Sequence, residues 1–414
     1  MTYTLIENGT LIDGNGGEPI ENAAVLIKDN KIIAAGHLND IPQVNGEVKR
    51  IDAEDGFLLP GLFDTHVHMM FQQTDYNTRF QTPFSFRFYK AIEHFRRTIE
   101  TGITSVRDAG FTDVGVKKAV DDGLISGPRL QVSVIPLTIT GGHGDGWTRS
   151  GINLTDSTYP TMPSGIVDGT EEVTKKVREV LRAGADVIKV HATGGVMSPT
   201  DHPEFTQFSL EELEIIVREA NFRKGVKVMA HAQGSEGIKN AIRAGIHSIE
   251  HGIYLDDEAI ELMLEKGTYL VPTLLAPVSV LEQFESSSNI PKHAEQKSRE
   301  VIDIHRESFS KAYRAGVKIA MGTDAGVMPH GTNLRELGLM VDGGMSPMEA
   351  IVATTKTAAE LMGWEDKLGT VEEGKLADLV ITKTDPLKSI TSLENPENIV
   401  IVIKEGKLVK DIRN

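Results

Sequence analysis

The chain has 414 residues, with 59 acidic against 43 basic side chains, a formal net charge of −16 and no cysteine. Its length suits a barrel of roughly 250 residues or more with a smaller companion domain, and its acidic balance disfavours nucleic acid, which needs a concentrated basic surface. The lack of cysteine excludes disulfides, thiolate ligands and a cysteine nucleophile, and since no signal peptide or apolar run of about 18 residues is recognisable, we expect a cytoplasmic protein, outside the membrane, that acts on a small molecule.

Both ends of the chain carry short β-like runs in which apolar and polar residues alternate. These runs cover residues 3–13, 23–36, 377–385 and 398–411. Asn30 and Gly406 fall where tight hairpin turns need such residues. We therefore predict that residues 1–58 and 366–414 together form one small, discontinuous β-sandwich domain.

Residues 59–365 alternate between strand and helix patterns, which is typical of parallel strands joined by crossover helices. Strands are predicted at 57–67, 102–110, 129–139, 185–195, 226–234, 247–252, 268–274 and 317–326. The clearest helices are predicted at 170–183, 210–224, 256–266 and 292–315, with Ser209 as a cap. Eight units favour an α/β fold with a closed (β/α)8 TIM barrel. An open doubly wound sheet is the alternative, but no GxGxxG loop follows the first strand.

His66 and His68 end the first barrel strand and are the first candidates for metal ligands. Side chains two residues apart in a strand project to the same face, so both can reach one ion. Two polar residues near a strand end also explain such a pair. Further polar side chains end other strands, at the edge where barrel enzymes place catalytic groups. These are Lys189, His231, His251 and Asp324.

Lys189 lies inside the apolar run VIKV, where a buried ammonium costs several kcal/mol unless it is paired or neutralised. A buried salt bridge is one explanation. A lysine carbamate formed with CO2 is the other, because its two oxygens could bridge two cations about 3.5–4 Å apart. Asp324 precedes an Ala-Gly pair at the end of the eighth strand, where it could bind metal and move protons, although a turn-forming aspartate also fits.

Together with the motif PGLFDTHVH and the split β-sandwich, these residues resemble the amidohydrolase superfamily over the whole chain. The resemblance implies two divalent metal ions, usually zinc. His66, His68 and Asp324 would hold the first metal. His231 and His251 would hold the second, and the N-carboxylated lysine would bridge the two. A metal-bridged hydroxide would then attack the scissile carbonyl, and Asp324 would pass the proton to the leaving group.

Five shorter motifs resemble a narrower branch of this superfamily. They are ITGGHGD, IKVHATGGVMSP, TQFSLEEL, IEHGIYLDD and PHGTNLREL. The branch includes Xaa-Pro dipeptidases, arginine or lysine carboxypeptidases and ochratoxin-type amidases, which cleave an amide attached to a C-terminal amino acid. By this resemblance His143 would polarise the scissile carbonyl and Tyr254 would bind the substrate carboxylate. Loop ordering by His143 and simple packing by Tyr254 are the alternatives.

Two more histidines are candidate pocket residues. His191 should face the same side of its strand as the lysine, with a role as an extra metal ligand left open, and His330 follows the eighth strand. We therefore predict cleavage of an amide or peptide bond next to a free C-terminal carboxylate, in dipeptides or N-acyl amino acids. The alternatives are a hydrolase of another small amide, carbamate, cyclic amide or lactone, a mononuclear deaminase-like enzyme and a metal-free scaffold. The preferred amino acid, the metal and homo-oligomer formation are left open.

Overall fold

A computed structural model of the protein describes residues 2–73, 78, 81–148, 150–153, 159, 161–286 and 290–413. The strands in these parts of the chain are β1 (Tyr3–Leu11), β2 (Ile20–Lys28), β3 (Lys31–His37), β4 (Val48–Asp52), β5 (Phe57–Pro60), β6 (Leu62–Val67), β7 (Ile103–Asp108), β8 (Arg129–Val132), β9 (Val187–His191), β10 (Lys227–Ala232), β11 (Ser248–His251), β12 (Tyr269–Val271), β13 (Leu379–Thr382), β14 (Ile399–Lys404) and β15 (Lys407–Asp411). The helices are α1 (Phe86–Glu100), α2 (Val114–Asp121), α3 (Thr170–Arg182), α4 (Leu210–Asn221), α5 (Ser235–Arg243), α6 (Asp257–Lys266), α7 (Leu275–Ser286), α8 (Lys292–Ala315), α9 (Arg335–Asp342), α10 (Pro347–Ala353) and α11 (Lys356–Met362). The predicted α/β class is confirmed.

The two ends of the chain meet in one eight-stranded sheet. Its order is β15-β14-β13-β5-β1-β2-β3, with β4 pairing on β1. Because β1 pairs first with β4 and then, from Thr10 onward, with β5, it joins two parts of the sheet. Buried aliphatic side chains from both chain ends pack together, among them Ile6, Val25, Leu379 and Ile401. The hairpins predicted at Asn30 and Gly406 are confirmed as the β2–β3 and β14–β15 connections.

Parallel strands carry the centre of the chain. They form a three-stranded sheet, β6-β7-β8, and a four-stranded sheet, β9 to β12 in chain order. Isolated parallel bridges lie between these sheets. Leu137, which follows β8, pairs with Val190 of β9. The segment after α8 pairs with both sheets, through Ile319 with Leu270 of β12 and through Ala325 with Val67 of β6. Strands β9, β10 and β11 are in register so that His191 pairs with His231, and His231 with Glu250. The carboxyl ends of these strands therefore lie side by side.

Two predicted strands differ from the structure. The run 57–67 is split at Gly61 into β5, which joins the sheet of chain ends, and β6, which joins the parallel strands. A Cβ at Gly61 would lie 2.2 Å from Thr104 Oγ1, so only glycine allows the chain to cross here. The run 317–326 makes only isolated bridges instead of a continuous strand. Between its bridges at Ile319 and Ala325 lies Asp324, which has a left-handed backbone with φ 66°.

The four predicted helices are confirmed as α3, α4, α6 and α8. Ser209 caps α4 through a capping box with Glu212, as its position before an acidic first turn predicted. Helix α4 ends at Asn221, before Lys224 and Gly225 take left-handed conformations, so it is shorter than predicted. Among the described helices, none combines the length and apolar character that crossing a membrane requires.

Candidate active site at the ends of the parallel strands

The predicted residues at the strand ends form a compact cluster around His66. Its Nε2 lies 3.5 Å from Asp324 Oδ1 and 3.4 Å from Lys189 Nζ. His68 Nε2 lies 3.1 Å from the same Asp324 oxygen. Ligand atoms of His66, His251 and Asp324 all lie within 4.8 Å of one another, which is close enough to share one ion. The centroid of the His231 ring is 4.6 Å from that of His251.

Each of the four clustered histidines has one ring nitrogen engaged with the protein. Nδ1 of His66 donates to Glu250 over 2.7 Å, and Nδ1 of His68 donates to the Gly110 carbonyl over 3.2 Å. Nε2 of His231 donates to the Gly194 carbonyl over 2.9 Å. Nδ1 of His251 pairs with the Thr273 hydroxyl at 2.6 Å. In each ring the second nitrogen is left as the one available to a metal, which is how protein partners orient histidine ligands.

Three of these imidazoles, those of His66, His231 and His251, lie in surroundings that favour the neutral, metal-binding form. Burial lowers the pKa of His66, His231 and His251 well below the ordinary value, and neighbouring Lys189 and histidine side chains lower it further. Neutral imidazole is the form that binds a cation. The donor set therefore fits divalent metal.

Lys189 is fully buried in β9, beside His66. Burial lowers the pKa of its ammonium to about 8, although the charges of Glu250 and Asp324 oppose this effect. A lowered pKa increases the fraction of neutral amine near pH 7. Since only a neutral amine attacks CO2, this environment favours the carbamate that the sequence predicted.

Sequence reasoning missed Glu250 and Arg107, which support the cluster from below. Both side chains are almost completely buried. The guanidinium of Arg107 donates to Glu250 Oε1 over 2.9 Å, while the other Glu250 oxygen accepts from His66. Arg107 also donates to the Thr65 carbonyl and the Ser248 hydroxyl. The signal was an ionisable side chain inside each of the predicted strands 102–110 and 247–252.

Asp324 is held by the segment around it. Thr323 donates its hydroxyl to buried Asp64 over 2.6 Å, and Asn333 donates to the same carboxylate oxygen over 2.8 Å. Burial alone would raise the pKa of Asp324, but its close contact with His68 and the positive charge of nearby Lys189 lower it below the ordinary range. The backbone of Asp324 is left-handed, as is that of His251 with φ 73°. Such strain in non-glycine residues concentrates at functional sites.

A second group of histidines lies beside the cluster. The ring of His143 stacks on His231 with centroids 4.4 Å apart, and His191 contacts both rings edge-on at 5.1 and 5.3 Å. His143, His251 and Asp324 line one pocket. The rest of its lining is largely apolar and includes Val196, Met197, Ile253, Val280 and Val327. The pocket can therefore receive an apolar group next to the clustered polar atoms.

Two predicted pocket residues lie elsewhere. Tyr254 lines a neighbouring depression with Glu204 and Asp256 instead of the pocket that contains His143. His330 is buried and stacks on His94, with ring centroids 4.2 Å apart, and its Nε2 donates to a backbone carbonyl. His330 interacts with the backbone of clustered His68, whereas Tyr254 lines a different depression. Their roles toward substrate stay predictions.

The chain is similar to hydrolases over nearly its whole length. Residues 57–409 match the Amidohydrolase family. Ochratoxinase from Aspergillus niger is 38% identical over 424 aligned positions, which cover 98% of this chain and 86% of that protein. Its crystal structure superposes with a TM-score of 0.86, at 38% identity, covering 99% of this chain and 96% of that one.

A crystal structure of a Xaa-Pro dipeptidase with methionine bound in its active site is equally similar. It superposes with a TM-score of 0.89 at 38% identity, covering 98% of this chain and 99% of that chain. The fold thus matches that of amidohydrolase structures. The chain belongs to the amidohydrolase family and is a hydrolytic enzyme.

Proposed function

We propose that this enzyme is a binuclear metal-dependent hydrolase that cleaves an amide or peptide bond next to a free C-terminal carboxylate. The observation that carries the proposal is the pairing of four strand-end histidines. In each histidine one ring nitrogen bonds to a protein partner and the other is available to a metal. The four rings surround Lys189 and Asp324. A purely structural cluster would not need this arrangement.

The ligand scheme follows the strands. His66, His68 and Asp324 would hold one cation, since Nε2 of each histidine lies within 3.5 Å of Asp324 Oδ1. His231 and His251 would hold the second, and the carbamate of Lys189 would bridge the two. We propose zinc as the metal, because imidazole and carboxylate ligands suit it.

The chemistry divides between the ions and the side chains. When bound, the two cations would polarise the scissile carbonyl and lower the pKa of the attacking water. Asp324 would accept a proton from that water and return it to the amine nitrogen as the C–N bond breaks. His143 would donate a hydrogen bond to the carbonyl oxygen as negative charge develops on it.

The pocket and the relatives support a dipeptide or an N-acyl amino acid as substrate. The pocket beside Asp324 is mostly apolar, so it suits an apolar side chain. Among the described residues, buried Gln233 Oε1 in this pocket has no hydrogen-bond partner and could accept a substrate N–H. The similar proteins include an ochratoxinase and a Xaa-Pro dipeptidase. Tyr254 would bind the free carboxylate, with His191 and His330 as further pocket residues.

The architecture belongs to the same proposal. We propose that the two parallel sheets and the bridging run 317–326 close into a (β/α)8 TIM barrel over residues 59–365. Residues 1–58 and 366–414 would form the β-sandwich domain around the eight-stranded sheet. A cytoplasmic location and a homo-oligomeric state remain predictions.

A substrate library tests this proposal. The zinc-loaded enzyme is assayed with Xaa-Pro dipeptides, other dipeptides and N-acyl amino acids, each beside a matched compound whose carboxylate is a primary amide. We expect turnover of the free acids and a kcat/KM about 100-fold or more lower for the amides. The reason is that a site built to bind a carboxylate is left without its anionic partner when an amide enters. Retained metal without turnover of any member would contradict the proposal. Equal turnover of acids and amides would favour the alternative of another small amide, carbamate, cyclic amide or lactone.

A further inference from the structure

His143 lies in the loop that follows β8, outside any described helix or strand. Its ring is nevertheless tightly placed. One face stacks on His231 at an interplanar angle of 18°. A Cβ at Gly195 would lie 2.3 Å from His143 Cε1, so only a glycine lets the opposite segment pass so close. The orientation of the ring is therefore determined by its neighbours.

Asp201 is the polar partner of this ring. Its Oδ2 lies 3.2 Å from His143 Nδ1, and only 3% of the Asp201 side chain is exposed. A carboxylate accepts, so Nδ1 donates and Nε2 is left as the other polar atom of the ring. Gln207 ties the pair together, because its Oε1 accepts the backbone N–H of His143 over 3.1 Å and its Nε2 donates to Asp201 over 3.4 Å.

Lys297, in α8, holds the segment that carries Asp201. Its Nζ donates to three backbone carbonyls, those of Gly195 at 3.0 Å, Ser198 at 2.8 Å and Asp201 at 2.6 Å. The same ammonium lies 3.7 Å from Asp201 Oδ1. Residues far apart in sequence thus fix one carboxylate against one imidazole. A loop that only covered the pocket would not need these contacts.

We propose that Asp201 is a positioning residue that fixes the ring of His143 and stabilises its doubly protonated form, in which Nδ1 donates to the carboxylate and Nε2 donates to the scissile carbonyl. Lys297 keeps Asp201 in place through the loop carbonyls. This inference rests on the proposed function, since the carbonyl is that of the proposed amide substrate. Asp201 would thus raise the rate of hydrolysis without touching the substrate.

Kinetics of the zinc-loaded enzyme test the inference. We expect Asp201→Ala to lower kcat about 10- to 100-fold, with KM changed less than about threefold and metal content unchanged, because the contact acts in the transition state. Asp201→Asn, which can still accept from Nδ1, should recover part of the loss. Thr200→Ala, at an exposed position of the same loop, is the matched control and should keep wild-type kinetics.

A double variant separates positioning from loop structure. If Asp201 acts only through His143, adding Asp201→Ala to His143→Ala should cost less than about twofold more. A large further loss, or a fall in metal content, would show that Asp201 instead supports the loop as a whole and would overturn the inference. An unchanged kcat in Asp201→Ala would overturn it as well.

Crystal structures of the wild type and of Asp201→Ala give a readout that needs no turnover. We expect the His143 ring to rotate away from its stacked position on His231 in the variant. An unmoved ring would overturn the inference whatever the substrate is. A rotated ring, in an enzyme that hydrolyses no amide, would support the positioning role while the proposed function fails.

Discussion

Glu250 connects the candidate metal site to the buried charge network, because one carboxylate serves both His66 and Arg107. We expect Glu250→Gln to weaken zinc binding about 10- to 100-fold, since it removes the anion that orients a ligand. It should also lower the free energy of unfolding of the metal-free protein by about 3 kcal/mol, because Arg107 is left buried without its counter-charge. Competition with a chromophoric chelator and urea denaturation measure the two effects.

An exposed glutamate provides the control for this change. Glu258, 54% exposed, forms ion pairs with Arg243 and with Lys239, which keeps Glu236 and Asp256 as further partners. Surface pairs contribute little, so Glu258→Gln should change stability by less than about 0.5 kcal/mol and leave zinc affinity unchanged. If Glu250→Gln bound zinc as tightly as the wild type, the role given to Glu250 would be wrong.

At the scale of residues, the sequence predicted the donors better than their supports. The sequence predicts Lys189 because a lysine inside an apolar strand has few explanations. It predicts Asp324 because this residue stands at the end of the apolar run 317–326, before an Ala-Gly pair. Glu250, next to His251, is likewise an ionisable residue in a predicted strand. Its partner Arg107 lies on another strand, and no sequence spacing indicates that the two side chains meet. Asp201 gave no signal at all, because it lies in a loop and its contact with His143 depends on the folded chain.

Helix α4 offers a prediction at the scale of one element. Ser209 accepts the backbone N–H of Glu212, and the Glu212 side chain accepts from the backbone of Ser209 in return. We expect Ser209→Ala to lower the free energy of unfolding by about 1 kcal/mol, because a helix N–H loses its acceptor. Ser286→Ala, at the exposed end of α7, removes only a bond to the carbonyl four residues before it and should be nearly neutral. Urea denaturation of both variants compares them, and equal losses would contradict the capping role.

Element positions were largely predictable, since hydrophobic periodicity is local and the four clearest helices are confirmed. The split at Gly61 was not predictable in the same way. The Pro60-Gly61 pair indicates a break within the run 57–67, but the division itself arises because Gly61 crosses close to Thr104 and donates its N–H to the Asp378 carbonyl. Asp378 lies near the other end of the chain, so no local pattern contains this information.

The sheet of chain ends gives a prediction for the whole molecule. Strand β13 lies between β5 and β14, and its Leu379 and Ile381 are fully buried with Ile401 and Ile403 of β14. Each such side chain contributes about 1.5–3 kcal/mol, so their sum is comparable to the stability of a whole domain, about 5–15 kcal/mol. We expect a chain that stops at Asp378 to accumulate as insoluble protein. Deletion of residues 412–414 is the comparison; it removes the bond from Ile412 N–H to the Val400 carbonyl and the contacts of Arg413 with Asp411 and Asp52, and it should keep the enzyme soluble with a far smaller loss of stability than the loss of β13. If the chain that stops at Asp378 were as soluble and as stable as the wild type, β13 would not be required for the fold.

The same pairing sets an order of events during synthesis. Strand β5 pairs with β13 from Pro60 opposite Leu379 to Phe57 opposite Thr382, so one edge of β5 has no partner until nearly the whole chain has left the ribosome. At about 5–20 residues per second this interval lasts roughly 15–60 s. Throughout it the nascent chain exposes an apolar strand edge that can pair with other chains. Chaperones that cover this edge should therefore raise the yield of folded enzyme, whereas slower synthesis lengthens the exposure.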